Sequence, residues 1–365
     1  MPSSETFTPQ TDVHLDAFCT LGVGGPARWF ARAREADDAR AAHEWCQSRG
    51  APLLALGGGS NLVIADAGVE GLVLAMALSG ITAESDGDDT LLTAGAGESW
   101  DGLVETAVGL GLSGVECLSG IPGSVGGTPI QNVGAYGQEV APVVERVTAL
   151  DRRDGGMRVL GPGDCGFAYR ASRFRGRDAG RFLVCSVTFR LRPGPPTASY
   201  PDVMAELGHT GAAGPSLRDV RRAVLAVRRR KGMVLDPADP DTRSVGSFFL
   251  NPVLGPADRE RIASVAGEAA PVFPVEGELM KVPAAWLIER AGIRRGDGEG
   301  RAAISSRHTL AIVTRAGATT DDVLRLATRV KRAVVERFGV WLRPEPIFVG
   351  LDGDERVNFL QRTRD

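Results

Sequence analysis

The sequence predicts a protein of mixed α and β structure built from more than one domain, and three observations carry that expectation. The chain has 365 residues, more than one hydrophobic core usually organises. Stretches with the two-residue period of strands interchange with stretches of helical period along most of its length. A proline-rich shift in composition, RPGPPTASYPDV, interrupts the pattern and places a domain boundary near Pro193.

Taken in order, residues 18–75 read as a small α/β unit. ARWFARA is strand-like, DARAAHEWCQSRG is a helix ending at Gly50, and PLLALG and GLVLAMA are strands. Between the last two lies Gly57-Gly58-Gly59-Ser60-Asn61. A glycine-rich turn leaving an apolar strand presents backbone N–H groups as a phosphate cradle does, although a plain tight turn needs the same glycines. NLVIAD after it looks extended, so no dinucleotide-type helix opens there. A GxGxxG at Gly109, Gly111 and Gly114 follows the helical pattern SWDGLVETAVGLG, with Ser99 as its cap, and is rejected as a nucleotide fingerprint.

The densest signal is residues 113–137, SGVECLSGIPGSVGGTPIQNVGAYG, which hold seven glycines. Glycine permits positive φ and close approach of the backbone to a ligand, while Pro122 and Pro129 fix φ, so rigid turns are expected. Turns alone explain glycines; Gln131, Asn132 and Tyr136 add donors and acceptors that point to a polar ligand. VERVTALDRRDGGMRVL then reads as a hairpin and RFLVCSVTFRLR as a strand. In CGFAYRASRFRGR, Arg173, Arg175 and Arg177 are expected on a solvated face, and Arg170 is expected to be partly buried.

Beyond the boundary, Tyr200 is either a lid tyrosine or a surface aromatic. SLRDVRRAVLAVRRR is a helix with Ser216 as cap, Asp219 as its capping-box partner and an apolar face of Leu217, Val220, Val224 and Val227. Its basic end, 228–231, suits the helix dipole, and Lys231 reads as a phosphate or cofactor contact. Gly246-Ser247-Phe248-Phe249 begins a strand that Asn251-Pro252 ends, leaving Ser247 pinned between a glycine and two rings, a setting for a proton donor. PAAWLIERAG is a helix, HTLAIVTRAG a strand, and Thr320 is expected to cap the helix TDDVLRLATRVKRAVVERFG. The last strand, VWLRPEPIFVG, carries Glu345 between two prolines, which suits a site rim.

Composition excludes several functions. A net charge of −3 offers no general attraction to nucleic acid or anionic membrane. No apolar run approaches the roughly eighteen residues of a spanning helix, and the N-terminus lacks signal-peptide character, so a cytoplasmic protein is expected. Five scattered cysteines without CxxC and four histidines without metal-ligand spacing predict neither disulfides nor a metal.

Together the motifs TLGVGGPA, LGGGSNLV, AGAGESW, the 113–137 segment, FAYRASRF, SYPDV, RRRKGMVLDP, GSFFLNP, AAWLIERAG, RHTLAIV and VWLRPEPIFVG resemble, in order, the UDP-N-acetylenolpyruvoylglucosamine reductase family. The resemblance implies an α+β fold: a two-lobed FAD-binding region of the vanillyl-alcohol-oxidase type (18–75 and 76–192) and a C-terminal α/β substrate domain (193–350), flanked by tails 1–17 and 351–365. It implies tightly bound, non-covalent FAD, reduced by NADPH, and hydride transfer from flavin N5 to the vinyl C3 of an enolpyruvyl UDP-sugar. The implied catalytic residues are Arg170, Ser247 as proton donor to C2, and Glu345. FAD contacts fall on Gly57, Gly58, Gly59, Ser60, Asn61, Ile121, Pro122, Gly123, Gly126, Gly127, Gln131, Asn132, Gly134, Ala135, Tyr136 and Arg170. Substrate contacts fall on Tyr169, Tyr200, Lys231 and Asn251. The partners implied are small molecules only, with the protein a monomer. Val245, Arg243 and Arg343 depart from the family's usual residues without removing a catalytic type. A related flavin oxidase would instead form peroxide, and a bare flavin-binding module would not turn over NADPH.

Overall fold

The computed structural model describes residues 7–208, 214–275 and 277–363. The chain divides into two compact units, each assembled from three segments: Met1–Val13, Ala27–Gly59 and Glu70–Val234 form the first, His14–Pro26, Ser60–Val69 and Leu235–Asp365 the second. The first unit runs on through Val234, so the boundary expected near Pro193 falls inside it. The reason is local chemistry. Glu116 is fully buried, and its carboxylate accepts from Thr197 N–H at 2.8 Å and from Gly114 N–H at 2.7 Å. Gln138 Nε2 adds a bond to Thr197 Oγ1 at 2.7 Å. A buried carboxylate without these donors would be costly, so the proline-rich segment is bound down rather than free. After it, Pro201–Leu207 is a helix that packs on Leu217–Arg230, where composition suggested only a linker.

Two sheets make up most of the first unit. In one, Gln10–His14, Pro26–Ala33, Val69–Met76 and Leu53–Leu56 lie side by side, the last two parallel, and the helix Ala36–Arg49 leads from Pro26–Ala33 into Leu53–Leu56. That helix stops at Gly50 with φ 61°, the left-handed cap that glycine adopts without strain. The other sheet is antiparallel, in the order Gly156–Leu160, Val144–Asp151, Phe182–Pro193, Asp89–Gly95, Ile81–Asp86. The helix Trp100–Gly109, capped by Ser99, buries Trp100, Leu103, Val104 and Ala107 in its core, and the Trp100 indole donates to Leu118 O at 3.1 Å. Satisfying the indole lets this large ring be buried without an orphaned donor.

The second unit holds an antiparallel sheet ordered Ser244–Ser247, Ala311–Thr314, Ala302–Ile304, Gly298–Glu299, with contacts from the helix Thr320–Phe338. Leu62–Ile64 pairs in parallel with Ile347–Val349, so of the last predicted strand only its end is regular. The cap of the long helix is Thr319, whose hydroxyl accepts from Asp322 N–H, not Thr320. Thr320 is buried one residue later and donates its hydroxyl proton to Ile64 O instead.

The expected tails are partly ordered elements: Gln10–His14 is a strand and Glu355–Gln361 a helix, while positions 1–6 and 364–365 lie outside the described residues. Lys331, fully buried, donates to Leu360 O and Arg362 O, both at 2.7 Å, and ties that last helix to the long one. All five cysteines are free and buried. Among the described residues no helix is long and apolar enough to cross a membrane.

Candidate functional site

In the first unit the two glycine stretches lie against each other. A Cβ on Gly58 would stand 2.7 Å from Gly123 Cα, and one on Gly57 2.7 Å from Ser124 Oγ. Backbone meets backbone there, which only glycine allows. Ser124 Oγ is buried and has no hydrogen-bond partner among the described residues. Buried hydroxyls are normally paired, so a side-chain-free wall beside an unspent hydroxyl fits an oxygen-rich group such as the FAD diphosphate. Ile121 and Pro122 lead into this wall, and Gly126 and Gly127 follow in the turn Val125–Gly127, where a Cβ on Gly126 would meet Ala96 at 2.6 Å.

The rest of the segment is held in conformations that L-residues seldom adopt. Four described non-glycine residues have positive φ, and three are predicted site residues: Asn132 at 48°, Tyr136 at 49° and Arg170 at 51°. Such strain persists where surrounding bonds over-determine it. Gly134–Ala135 and Gln138–Glu139 form a hairpin turning through Tyr136-Gly137, both at positive φ as a two-residue turn of this hand demands. Asn132 is fully engaged with protein: its Nδ2 donates to Glu139 Oε2 at 2.7 Å and Ala168 O at 3.1 Å, and its Oδ1 accepts from Ala141 N–H at 3.0 Å. The Arg170 guanidinium donates to Asn132 O at 3.2 Å and to Gly134 O, and lies 5.5 Å from the Tyr169 ring centroid. Gln131 Oε1 accepts from Arg175 at 3.1 Å. Arg173 is not on a solvated face: it pairs with Asp178 at 2.8 Å, its side chain only 14% exposed, whereas Arg177 is open to solvent.

Beneath the segment sits a buried cation that the sequence reading left in the basic end of its helix. Arg228 is buried and donates to Gly120 O at 3.1 Å and Met233 O at 2.7 Å. Burial pushes its guanidinium below the ordinary value, Tyr136 opposing, and burial pushes the Tyr136 phenol up. Arg221 clamps Asp101 through both terminal guanidinium nitrogens, at 2.5 and 3.0 Å, while Asp101 accepts from Gly120 N–H at 2.6 Å. Burial works to raise the Asp101 carboxyl, but Arg221 and the Gly120 amide outweigh it and hold it below the usual carboxylate range. The signal was available: Arg221 and Arg228 stand four residues after Leu217 and Val224, on the helix's apolar face. Nearby, Tyr200 precedes the helix Pro201–Leu207 with its ring 5.4 Å from that of Tyr136, and Lys231 pairs with Asp202 at 2.7 Å.

The second unit gathers the other predicted residues. Ser247 ends the strand Ser244–Ser247 at an irregularity in its pairing, between Gly246 at φ 70° and the buried rings of Phe248 and Phe249. Glu345 N–H donates to Phe248 O at 2.9 Å, and Glu345 O accepts from Asn61 Nδ2 at 3.3 Å. Glu345 is thus tied at both backbone ends, one of them next to Ser247. Asn251 Oδ1 accepts from Ala284 N–H at 2.9 Å, at the start of the helix Ala284–Arg290. Ser60, beside Asn61, also belongs to this unit.

Residues 27–161 match the model of an FAD binding domain, and residues 236–349 match that of the UDP-N-acetylenolpyruvoylglucosamine reductase C-terminal domain. That pairing defines a flavoprotein oxidoreductase. UDP-N-acetylenolpyruvoylglucosamine reductase from Thermobifida fusca is 47% identical, over 93% of this chain and 98% of its own length. The enzyme of the same name from Saccharopolyspora erythraea is also 47% identical, over 92% and 94%. The crystal structure of UDP-N-acetylenolpyruvylglucosamine reductase from Thermus caldophilus superposes with a TM-score of 0.63 at 28% identity, covering 94% of this chain and all of that one. The chain belongs to the UDP-N-acetylenolpyruvoylglucosamine reductase family, and the FAD-dependent reductase expected from the motifs is borne out.

Proposed function

We propose that the protein reduces the enolpyruvyl ether of UDP-N-acetylglucosamine to UDP-N-acetylmuramate at the expense of NADPH, a step in making a peptidoglycan precursor, as a cytoplasmic monomer with small-molecule partners only. The observation that carries this reading is the anchored guanidinium: Arg170, at positive φ, is held by the carbonyls of Asn132 and Gly134 within the glycine-rich segment of the FAD-binding domain. FAD, when bound, accepts hydride from NADPH and supplies it to the vinyl C3. The chain's own residues do the rest. Gly57–Gly59 and 121–127 seat the diphosphate, with the Ser124 hydroxyl as a donor, and 131–136 line the bed of the ring system. Hydride arriving at C3 leaves negative charge spread from C2 into the substrate carboxylate. A fixed cation stabilises such charge at no reorganisation cost, the role of Arg170. The Ser247 hydroxyl gives its proton to C2, its position set by Gly246 and the two buried rings, and Glu345, tied to the backbone beside it, stabilises the charge in its protonated form, as a hydrogen-bond donor. Tyr169, Tyr200, Lys231 and Asn251 hold the sugar nucleotide, Asn251 with the amide nitrogen its helix contact leaves over.

The test is purified protein with a flavin absorbance spectrum, assayed for NADPH oxidation with and without the enolpyruvyl sugar nucleotide. Oxidation that depends on the sugar nucleotide is expected. Peroxide formation without it, or no turnover, overturns the reading.

A further inference from the structure

Away from the glycine segments, the first unit carries an open cavity of about 430 Å³ lined by His43, Cys46, Arg152, Arg153, Gly180 and Arg181, among others. Its arginines are unequal. Arg181 is spent on Asp151 at 2.6 Å and Asp178 at 2.9 Å. Among the described residues the Arg152 side chain donates only to Gly180 O, at 2.5 Å, and its Nε is buried without a partner. Neither Arg152 nor Arg153 forms an ion pair among the described residues. His43, only 4% exposed, likewise has its Nε2 buried and without a partner among the described residues.

Buried polar atoms are nearly always hydrogen-bonded, yet two residues of this lining each keep a nitrogen unspent, and the Arg152 and Arg153 charges beside them have no carboxylate among the described residues. A second cation would aggravate the charge, and an apolar ligand would leave both guanidinium groups unpaired. Cys46 does not supply the missing anion, because burial pushes its thiol up and keeps it neutral. An oxyanion answers every term: guanidinium N–H groups match phosphate oxygens in geometry and charge, and an imidazole can donate alongside them. The volume is that of a small-molecule pocket rather than of a single ion.

We propose that this cavity is a second anion site, which takes the phosphate group of a small phosphorylated metabolite, with inorganic phosphate as its simplest occupant. The site is separate from the glycine segments, and its occupation does not depend on the reaction assigned to the protein.

Isothermal titration of the FAD-loaded protein with inorganic phosphate and with glucose 6-phosphate, at constant ionic strength in chloride, tests it. Saturable binding is expected, weakened about tenfold or more by Arg152→Met, as loss of a charge-assisted contact requires, with the flavin spectrum unchanged. Arg153→Met, at an exposed position, is expected to weaken binding several-fold and keeps the test open should Arg152→Met fail to fold. Absence of saturable binding by either compound overturns the proposal. So do isotherms that both variants leave unaltered, since phosphate would then be binding elsewhere.

Discussion

A single hydroxyl is the proton source in the proposed reaction. Ser247→Ala is expected to leave flavin reduction by NADPH near normal while slowing reoxidation by the sugar nucleotide by about 10²–10⁴-fold, the usual worth of a positioned general acid. Rapid-mixing absorbance separates the halves, and equal loss in both would make Ser247 a packing residue. Gly58 acts at the same scale by lacking an atom. Gly58→Ala would set a methyl 2.7 Å from Gly123 Cα, backbone that cannot swing aside. Flavin content should fall and stability drop by about 1–3 kcal/mol, as overpacking costs; unchanged flavin content would remove Gly58 from the cradle. Sequence pointed to these positions through residue type alone, glycine density and a serine before two rings. It did not point to Ser124, whose importance comes from what fails to reach it in three dimensions.

Helix ends show where local reading succeeds and where it slips. Ser216 and Asp219 are three residues apart, and their reciprocal capping is present as expected. Thr319 and Thr320 are both plausible caps by type, and only the fold assigns one to Asp322 N–H and the other to Ile64 O. Thr319→Ala should cost about 1 kcal/mol, a lost cap. Thr320→Ala should cost about 1–3 kcal/mol, because it strands a buried carbonyl. Chemical denaturation of the two variants checks the order, and equal costs would mean Ile64 O finds another donor. The proline-rich segment near Pro193 was illegible for a related reason. Its composition is that of a linker, while the carboxylate that binds it down lies some eighty residues earlier, at Glu116. Arg173 was misplaced similarly, since Asp178 turns an apparently solvated arginine inward.

Across the molecule, the Val144–Asp151 strand carries an acid-sensitive joint. Hydrogen bonds from Arg181 hold the Asp151 carboxyl at about 2, against an ordinary 3.8. Its folded value lies below its unfolded one, so the stabilisation is complete above the ordinary value and drains away as pH falls from there through about 2. Asp151→Asn should therefore flatten the dependence of melting temperature on pH in that window; an unchanged slope would place the acid sensitivity elsewhere.

The chain passes between its two units five times, and this bears on how such proteins can be recombined. A gene fusion with a relative joined at 234/235 would transplant most of the second unit but leave 14–26 and 60–69 from the original parent. Thr20 would then have to find a foreign Ser244 O, Thr314 a native Leu21 O, and the strand Ile347–Val349 a native Leu62–Ile64. Swapping the unit intact requires three exchanges made together, so single-crossover hybrids of distant relatives should be purged, and these short early segments should be inherited with the C-terminal one.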